Sequence, residues 1–302
     1  MRGRVLAALA ALLLSTAAQA REPGIAPQFP PGQTLGLANA VSPPPGLYLM
    51  NRLAWYDAEL RDNRGRALGQ HVTVRSEALQ LTWVPGWTLL GGAYKAFVNV
   101  PLVDMTVTRT SPATGRPGRY HTSGIADPKI QPLDLSWALG DGWHLGAGLG
   151  VYVPVGTYSV NAAINPGQPF WTVEPGVAVT WAKDGWNASL HMVYDINSEN
   201  PDTHYRSGDQ LFANATLTRK VGGWEVGPVA YFQKQVTEDR NEGGAAVFRG
   251  TTADPAEQVA AGLLVSHALG SARITAFVTR DIEARNTLGG DKVWLNVSLP
   301  LR

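Results

Sequence analysis

Residues 134–155 alternate between apolar and small or polar side chains on either side of Gly140-Asp141-Gly142. Ahead of the glycines, Leu133, Leu135, Trp137 and Leu139 share one face, with Asp134, Ser136 and Ala138 on the other. After them, Leu145, Ala147, Leu149, Val151, Val153 and Val155 oppose His144, Gly146, Gly148, Gly150, Tyr152 and Pro154. A period of two is the signature of a strand. A three-residue loop with Gly142 in the left-handed region closes these arms into a hairpin. It sets Leu139 opposite Trp143 and Trp137 opposite Leu145, so the apolar faces coincide. Each arm is about as long as a strand that crosses a bilayer, roughly 9–11 residues. Such a hairpin fits a β-sandwich with its apolar face in a core, or a membrane barrel with that face toward lipid. Repetition along the chain decides between them.

Residues 1–20 have the form of a secretory signal peptide. Arg2 and Arg4 precede an apolar run over residues 5–14, and Ala18-Gln19-Ala20 is a small-x-small cleavage site. The expected plan is a signal peptide at 1–20, a Pro-rich N-terminal segment at 21–45, and a barrel at 46–302. The chain has no cysteine, which excludes a disulfide framework, a thiolate metal site and a lipoprotein anchor. Its 25 basic and 24 acidic residues form no stripe that would point to nucleic acid. Beyond the leader, no apolar run is long enough for a membrane helix. Alternating apolar residues together with 33 Gly and ten Trp suit an outer-membrane barrel.

Twelve strand candidates follow, near 46–59, 71–84, 87–108, 124–139, 143–155, 171–183, 186–197, 209–221, 224–237, 256–268, 271–283 and 290–301. The connections between them alternate. Those at 60–70, 109–123, 156–170, 198–208, 238–255 and 284–289 are long, whereas Pro85-Gly86, Gly140-Asp141-Gly142, Asp184-Gly185, Gly222-Gly223 and Leu269-Gly270 are short. Outer-membrane barrels have an even strand number, tight periplasmic turns and longer outer loops. Parity agrees. Turns at the short connections pair Leu81 with Leu90, Trp181 with Ala188, Val179 with Leu190, Arg219 with Val226, and Val265 with Ile274. In each hairpin the apolar faces meet, which a one-residue slip would undo. Seven of the ten Trp (83, 87, 137, 143, 181, 186 and 224) lie beside short turns, as an interfacial aromatic girdle requires. The expected fold is therefore all-β, an antiparallel transmembrane β-barrel of the outer membrane with about twelve strands.

With the apolar face toward lipid, the other face lines the lumen. The residues expected there as a substrate path are Lys95, Asp134, Tyr152, Glu174, His191, Asp195, Tyr231 and Arg273. Both charge signs are present, which suits solvated, cross-strand-paired lining or a path for an amphipathic solute. Ser189 and His191 share the inward face, but two residues along a strand is roughly 6–7 Å, loose for a proton relay. No Gly-x-Ser-x-Gly elbow occurs, and the six His show no metal-ligand spacing. No catalytic residue, metal or cofactor is expected.

Several stretches taken together carry a resemblance: Pro43-Pro44-Pro45-Gly46-Leu47-Tyr48, Val98-Asn99-Val100-Pro101-Leu102-Val103-Asp104, Val153-Pro154-Val155-Gly156-Thr157-Tyr158, Trp171-Thr172-Val173-Glu174-Pro175, Met192-Val193-Tyr194-Asp195-Ile196-Asn197-Ser198-Glu199-Asn200 with Tyr205-Arg206-Ser207-Gly208, and Asp291-Lys292-Val293-Trp294-Leu295. Over about residues 43–302 the chain resembles the outer-membrane family of the phenol meta-pathway, the SphA-like or MetA-pathway of phenol degradation transporters. The resemblance implies a Gram-negative outer-membrane channel for passive uptake of small aromatic or hydrophobic compounds, linked to aromatic catabolism. It brings no catalytic residues and names no solute. Asp195 and Glu174 rank first among the lumenal candidates, and residues 198–208 second, as a docking loop. The expected partners are the solute, outer-membrane lipid and the barrel-assembly machinery during insertion. The alternative is a closed structural or adhesive barrel that binds partners through its outer loops.

Overall fold

The computed structural model describes residues 21–110 and 116–301, so the signal-peptide reading of residues 1–20 lies outside the described residues. Twelve strands form the wall: β1 (Gly46–Arg61), β2 (Ala67–Val84), β3 (Gly92–Thr110), β4 (Lys129–Gly140), β5 (Trp143–Tyr152), β6 (Thr172–Lys183), β7 (Trp186–Asn197), β8 (Gln210–Val221), β9 (Trp224–Gln235), β10 (Glu257–Leu269), β11 (Ala272–Arg285) and β12 (Leu288–Leu301). All pairings are antiparallel. β1 pairs with both β2 and β12, and β2 with β3, so the sheet closes on itself. Closure leaves no backbone edge unpaired, the condition for strands to cross a bilayer. A further strand, Pro117–Ile125, continues the β4 path outward against β3.

Burial sorts the two faces in the sense opposite to a soluble protein. Leu79, Leu145, Leu190, Leu217 and Leu263 are exposed on the outside, whereas Arg52, Gln80, Glu174, Asn214, Gln233 and Lys292 are buried inside. This is an apolar lipid-facing band around a polar interior. At the short-turn rim Trp83, Trp87, Trp143 and Trp224 project outward. Trp83 and Trp87 meet edge to face with centroids 5.0 Å apart.

Four turns differ from the sequence reading. Pro85-Gly86 does not close its hairpin: Leu81 faces Val98 rather than Leu90. Pro85 has no N–H to close a two-residue turn. The reversal falls instead at Leu90-Gly91, both at positive φ, after a short strand Thr88–Leu89. At the Leu269-Gly270 connection, Leu269 pairs with Ala272, and Val265 faces Ala276 rather than Ile274. That shift is even, so the faces are preserved. The connection expected to be long at 284–289 shrinks to Asn286-Thr287 between strand ends, although β11 and β12 pair with each other only as far as Arg280 and Asp291 and beyond that with β10 and β1. Asn286 takes the left-handed conformation there, at φ 52°. Elsewhere the register is as expected: Trp181 faces Ala188, Val179 faces Leu190, Arg219 faces Val226 and Trp137 faces Leu145. The reversal after β4 is a two-residue Asp141-Gly142 turn, both residues at positive φ, with Leu139 left in a bulge.

Residues 21–45 run inside the barrel along its length. Pro45 lies by Gly86 at the short-turn rim, and Glu22 lies among the long loops at the other. Those loops pack over the outer end, where Tyr205–Arg206 pairs with Arg240–Asn241.

Candidate functional site

Seven prolines keep residues 21–45 from joining the sheet, yet its amides still need acceptors inside the barrel. Inward side chains of the wall and outer loops supply them. Glu22 N–H donates to Ser207 Oγ (3.3 Å), Phe29 to Asp195 Oδ2 (3.4 Å), Gly32 to Asn214 Oδ1 (3.0 Å) and Gly36 to Thr216 Oγ1 (2.9 Å). Further down, Asn39 N–H donates to Ser189 Oγ (3.2 Å), Ala40 to Thr180 Oγ1 (3.1 Å) and Ser42 to Ser136 Oγ (3.2 Å). Ser136 Oγ in turn donates to Ala40 O at 2.5 Å.

Two apolar anchors fix the segment at mid-height. Phe29 packs on Phe212 and Val193, with ring centroids 5.1 Å apart. Leu35 is fully buried among Tyr231, Leu264, Phe277 and Trp294. Gly36 sits beside this cluster at φ 80°, where an added Cβ would lie 2.5 Å from Leu264 Cδ1. A side chain there would have to accept the left-handed cost of roughly 1–2 kcal/mol and displace Leu264. The variant Gly36→Val is therefore expected to unseat the segment. Single-channel conductance should rise while heat-modifiable migration, the mark of a folded barrel, is retained.

The eight candidate residues all face inward, but they divide into two groups. Lys95, Asp134, His191 and Arg273 line a cavity of about 700 Å³ at the short-turn end. Lys95 Nζ lies 3.5 Å from Asp134, Arg273 Nη1 lies 2.7 Å from Glu225 Oε2, and His191 Nδ1 lies 3.0 Å from Thr34 Oγ1 of the segment. Tyr152, Glu174, Asp195 and Tyr231 lie outside that cavity, locked in interior bonds. Glu174 accepts from Lys129 and, at 3.0 Å, from the Tyr152 hydroxyl. Asp195 accepts the Phe29 amide. The Tyr231 hydroxyl donates to Asp281 and accepts from Lys292 Nζ at 2.8 Å. Ser189 and His191 each hold the segment, and Ser189 shares its other bond with Thr180 at 2.8 Å.

Sequence reasoning missed Arg52, Lys129, Glu225, Phe277 and Trp294 as parts of this interior. Alternation alone assigns Arg52, Phe277 and Trp294 inward. Lys129 is different: counted from Asp134 it should face out. A register shift between Ile130 and Leu133 turns it inward, opposite Tyr152. The inward glycines of β5 have a matching role. An added Cβ at Gly146 would lie 3.2 Å from Ala40 Cα, one at Gly148 2.5 Å from Gln131 Nε2, and one at Gly150 against the Lys129 stem. The column makes room for the segment and for two wall side chains.

At the outer end, Asn200 Nδ2 donates to both Glu22 oxygens at 2.9 Å, and Thr203 Oγ1 donates at 2.8 Å. Burial raises the Glu22 carboxyl above its ordinary value, and the two donors partly offset this. The Tyr205 hydroxyl donates to Asp239 at 2.5 Å, and burial together with that carboxylate raises the phenol well above its usual range. Residues 198–208 thus clasp the end of the segment.

The family model described as the MetA-pathway of phenol degradation matches residues 58–297. No curated protein shows significant similarity to the chain. The COG4313 outer membrane channel from Pseudomonas putida F1 matches with a TM-score of 0.75 at 16% identity, over 91% of this chain and 100% of that chain. The translocator domain of the autotransporter NalP from Neisseria meningitidis gives a TM-score of 0.49 at 11% identity, over 87% and 91%. The CymD monoaromatic hydrocarbon channel gives 0.41 at 9%, over 85% and 89%. With the family model covering most of the barrel and the Pseudomonas channel sharing its fold, this outer-membrane β-barrel belongs to the family of the MetA-pathway of phenol degradation.

Proposed function

We propose that the protein is a channel for passive uptake of small aromatic or hydrophobic compounds across a Gram-negative outer membrane, reached by export on its signal peptide and insertion by the barrel-assembly machinery. The carrying observation is how the lumen is divided. A cavity of about 700 Å³ at the short-turn end is separated from the outer loops by a segment held through side-chain hydrogen bonds and two apolar anchors. Unlike strand pairing, bonds of this kind can exchange one at a time without opening the wall. Selection then rests on weak contacts that bind enough to discriminate and too little to trap. Lys95, Asp134, His191 and Arg273 are the proposed lining of the inner half. Family membership supports the aromatic solute class.

The reconstituted protein is expected to raise the uptake of phenol and benzoate into liposomes above that of protein-free vesicles and to open small channels in planar bilayers. The occluding anchors favour a second reading, a closed barrel that binds partners through its outer loops. Absence of both uptake and conductance would establish that reading and overturn the first.

A further inference from the structure

A small cavity of about 110 Å³ lies at the outer end, between the N-terminal segment and the wall. One side is apolar: Val72, Met105 and Val107 form an inward cluster, with Ile164 and Leu288 packed against it. The volume is of the order of an engineered apolar cavity of about 150 Å³ that takes up benzene.

The other side is polar and incompletely satisfied. Arg21 is 5% exposed, and its Nη1 donates to Ala26 O at 3.2 Å. Its Nε and Nη2 have no partner. Gln210, fully buried, spends its Oε1 on Gln233 and leaves Nε2 without a partner. Among the described residues no carboxylate lies within ion-pair distance of Arg21, although Asp195 and Asp239 are near enough to favour its charge. A buried cation without a paired anion is costly, and a guanidinium edge with two free N–H groups fits a carboxylate in bidentate fashion.

We propose that this cavity is a binding site for a monocyclic aromatic carboxylate, with the ring on the Val72–Met105–Val107 wall and the carboxylate on Arg21 Nε and Nη2, assisted by Gln210 Nε2. In the uptake reading this is an outer resting site on the way through the barrel. The proposal depends on that reading for its role and not for its binding.

The test uses purified full-length barrel in detergent, with 4-fluorobenzoate and uncharged fluorobenzene as probes, read by ¹⁹F NMR. Wild type should bind 4-fluorobenzoate saturably. Arg21→Met should weaken that binding by at least about tenfold, as loss of a charged hydrogen-bonding partner implies, and leave fluorobenzene unaffected. Gln210→Leu should weaken 4-fluorobenzoate by a smaller factor, and Val107→Trp should abolish both probes by filling the cavity. Heat-modifiable migration confirms that each variant is folded; Gln210→Leu and Val107→Trp carry the test if Arg21→Met fails to assemble. No saturable binding, or 4-fluorobenzoate binding unchanged in the folded Arg21 or Gln210 variant, overturns the site. Phenol uptake without benzoate binding would overturn the site alone and leave the channel standing.

Discussion

Deleting residues 23–42 is expected to convert the occluded barrel into an open pore whose single-channel conductance is severalfold that of the intact chain. The wall does not depend on the segment for its backbone bonds, since each of the twelve strands pairs with two neighbours. The deletion removes the Phe29 and Leu35 anchors and returns the inward hydroxyls, amides and carboxylates to water, which serves them as well as the segment's amides did. Each lost anchor costs about 1.5–3 kcal/mol of apolar burial, so the thermal midpoint should fall while the barrel persists. An eight-strand barrel is filled by its own side chains, and sixteen strands leave an aqueous channel. Twelve is between these limits, and here the difference is made up by an inserted segment. Planar-bilayer recordings decide the matter. Unchanged conductance in a folded deletion variant would mean that wall side chains, and not residues 21–45, form the constriction.

The wall was largely legible in the sequence because lipid on one side and a hydrated interior on the other impose a strict period of two. Leu190 and His191, or Leu217 and Thr216, can be assigned to faces by counting alone. Counting fails where the backbone departs from the pleat. The bulge that turns Lys129 inward and the displaced reversal at Leu90-Gly91 leave the local composition apolar and alternating. The segment was harder to place. Its prolines exclude a strand but say nothing of where it lies, because its binding partners are scattered from Asp127 to Trp294 and meet only in three dimensions. The division of the eight candidates was likewise hidden. Whether an inward residue lines a cavity or bonds across it depends on what occupies the lumen. Glu174 and Asp195 look like path residues in one dimension, yet the segment takes one Asp195 oxygen and Lys129 one of Glu174.

That arrangement gives the largest stability effect expected of a single side chain. Lys129 and Glu174 form an ion pair with side-chain exposures of 6% and 1%. Breaking such a pair by removing one partner leaves an uncompensated buried charge and costs about 3–5 kcal/mol, whereas replacing both partners with neutral groups of similar volume is often nearly neutral. Lys129→Met alone is expected to destabilise strongly, because Glu174, beside Asp195, is left as a buried carboxylate without its cation. Glu174→Gln alone should be milder. Lys129 would then lose the opposite charge but keep an amide oxygen as acceptor and its ring contacts, 5.3 Å from the Phe97 centroid and 5.7 Å from that of Tyr152. The double variant Lys129→Met/Glu174→Gln should recover most of the loss, which requires a coupling of about 3 kcal/mol in a double-mutant cycle in urea. Additive losses would show that the two residues do not act as a unit. The stability of the wall at that height would then rest on the aromatic contacts of Lys129 and the Tyr152 hydrogen bond to Glu174, which a Tyr152→Phe variant reads separately.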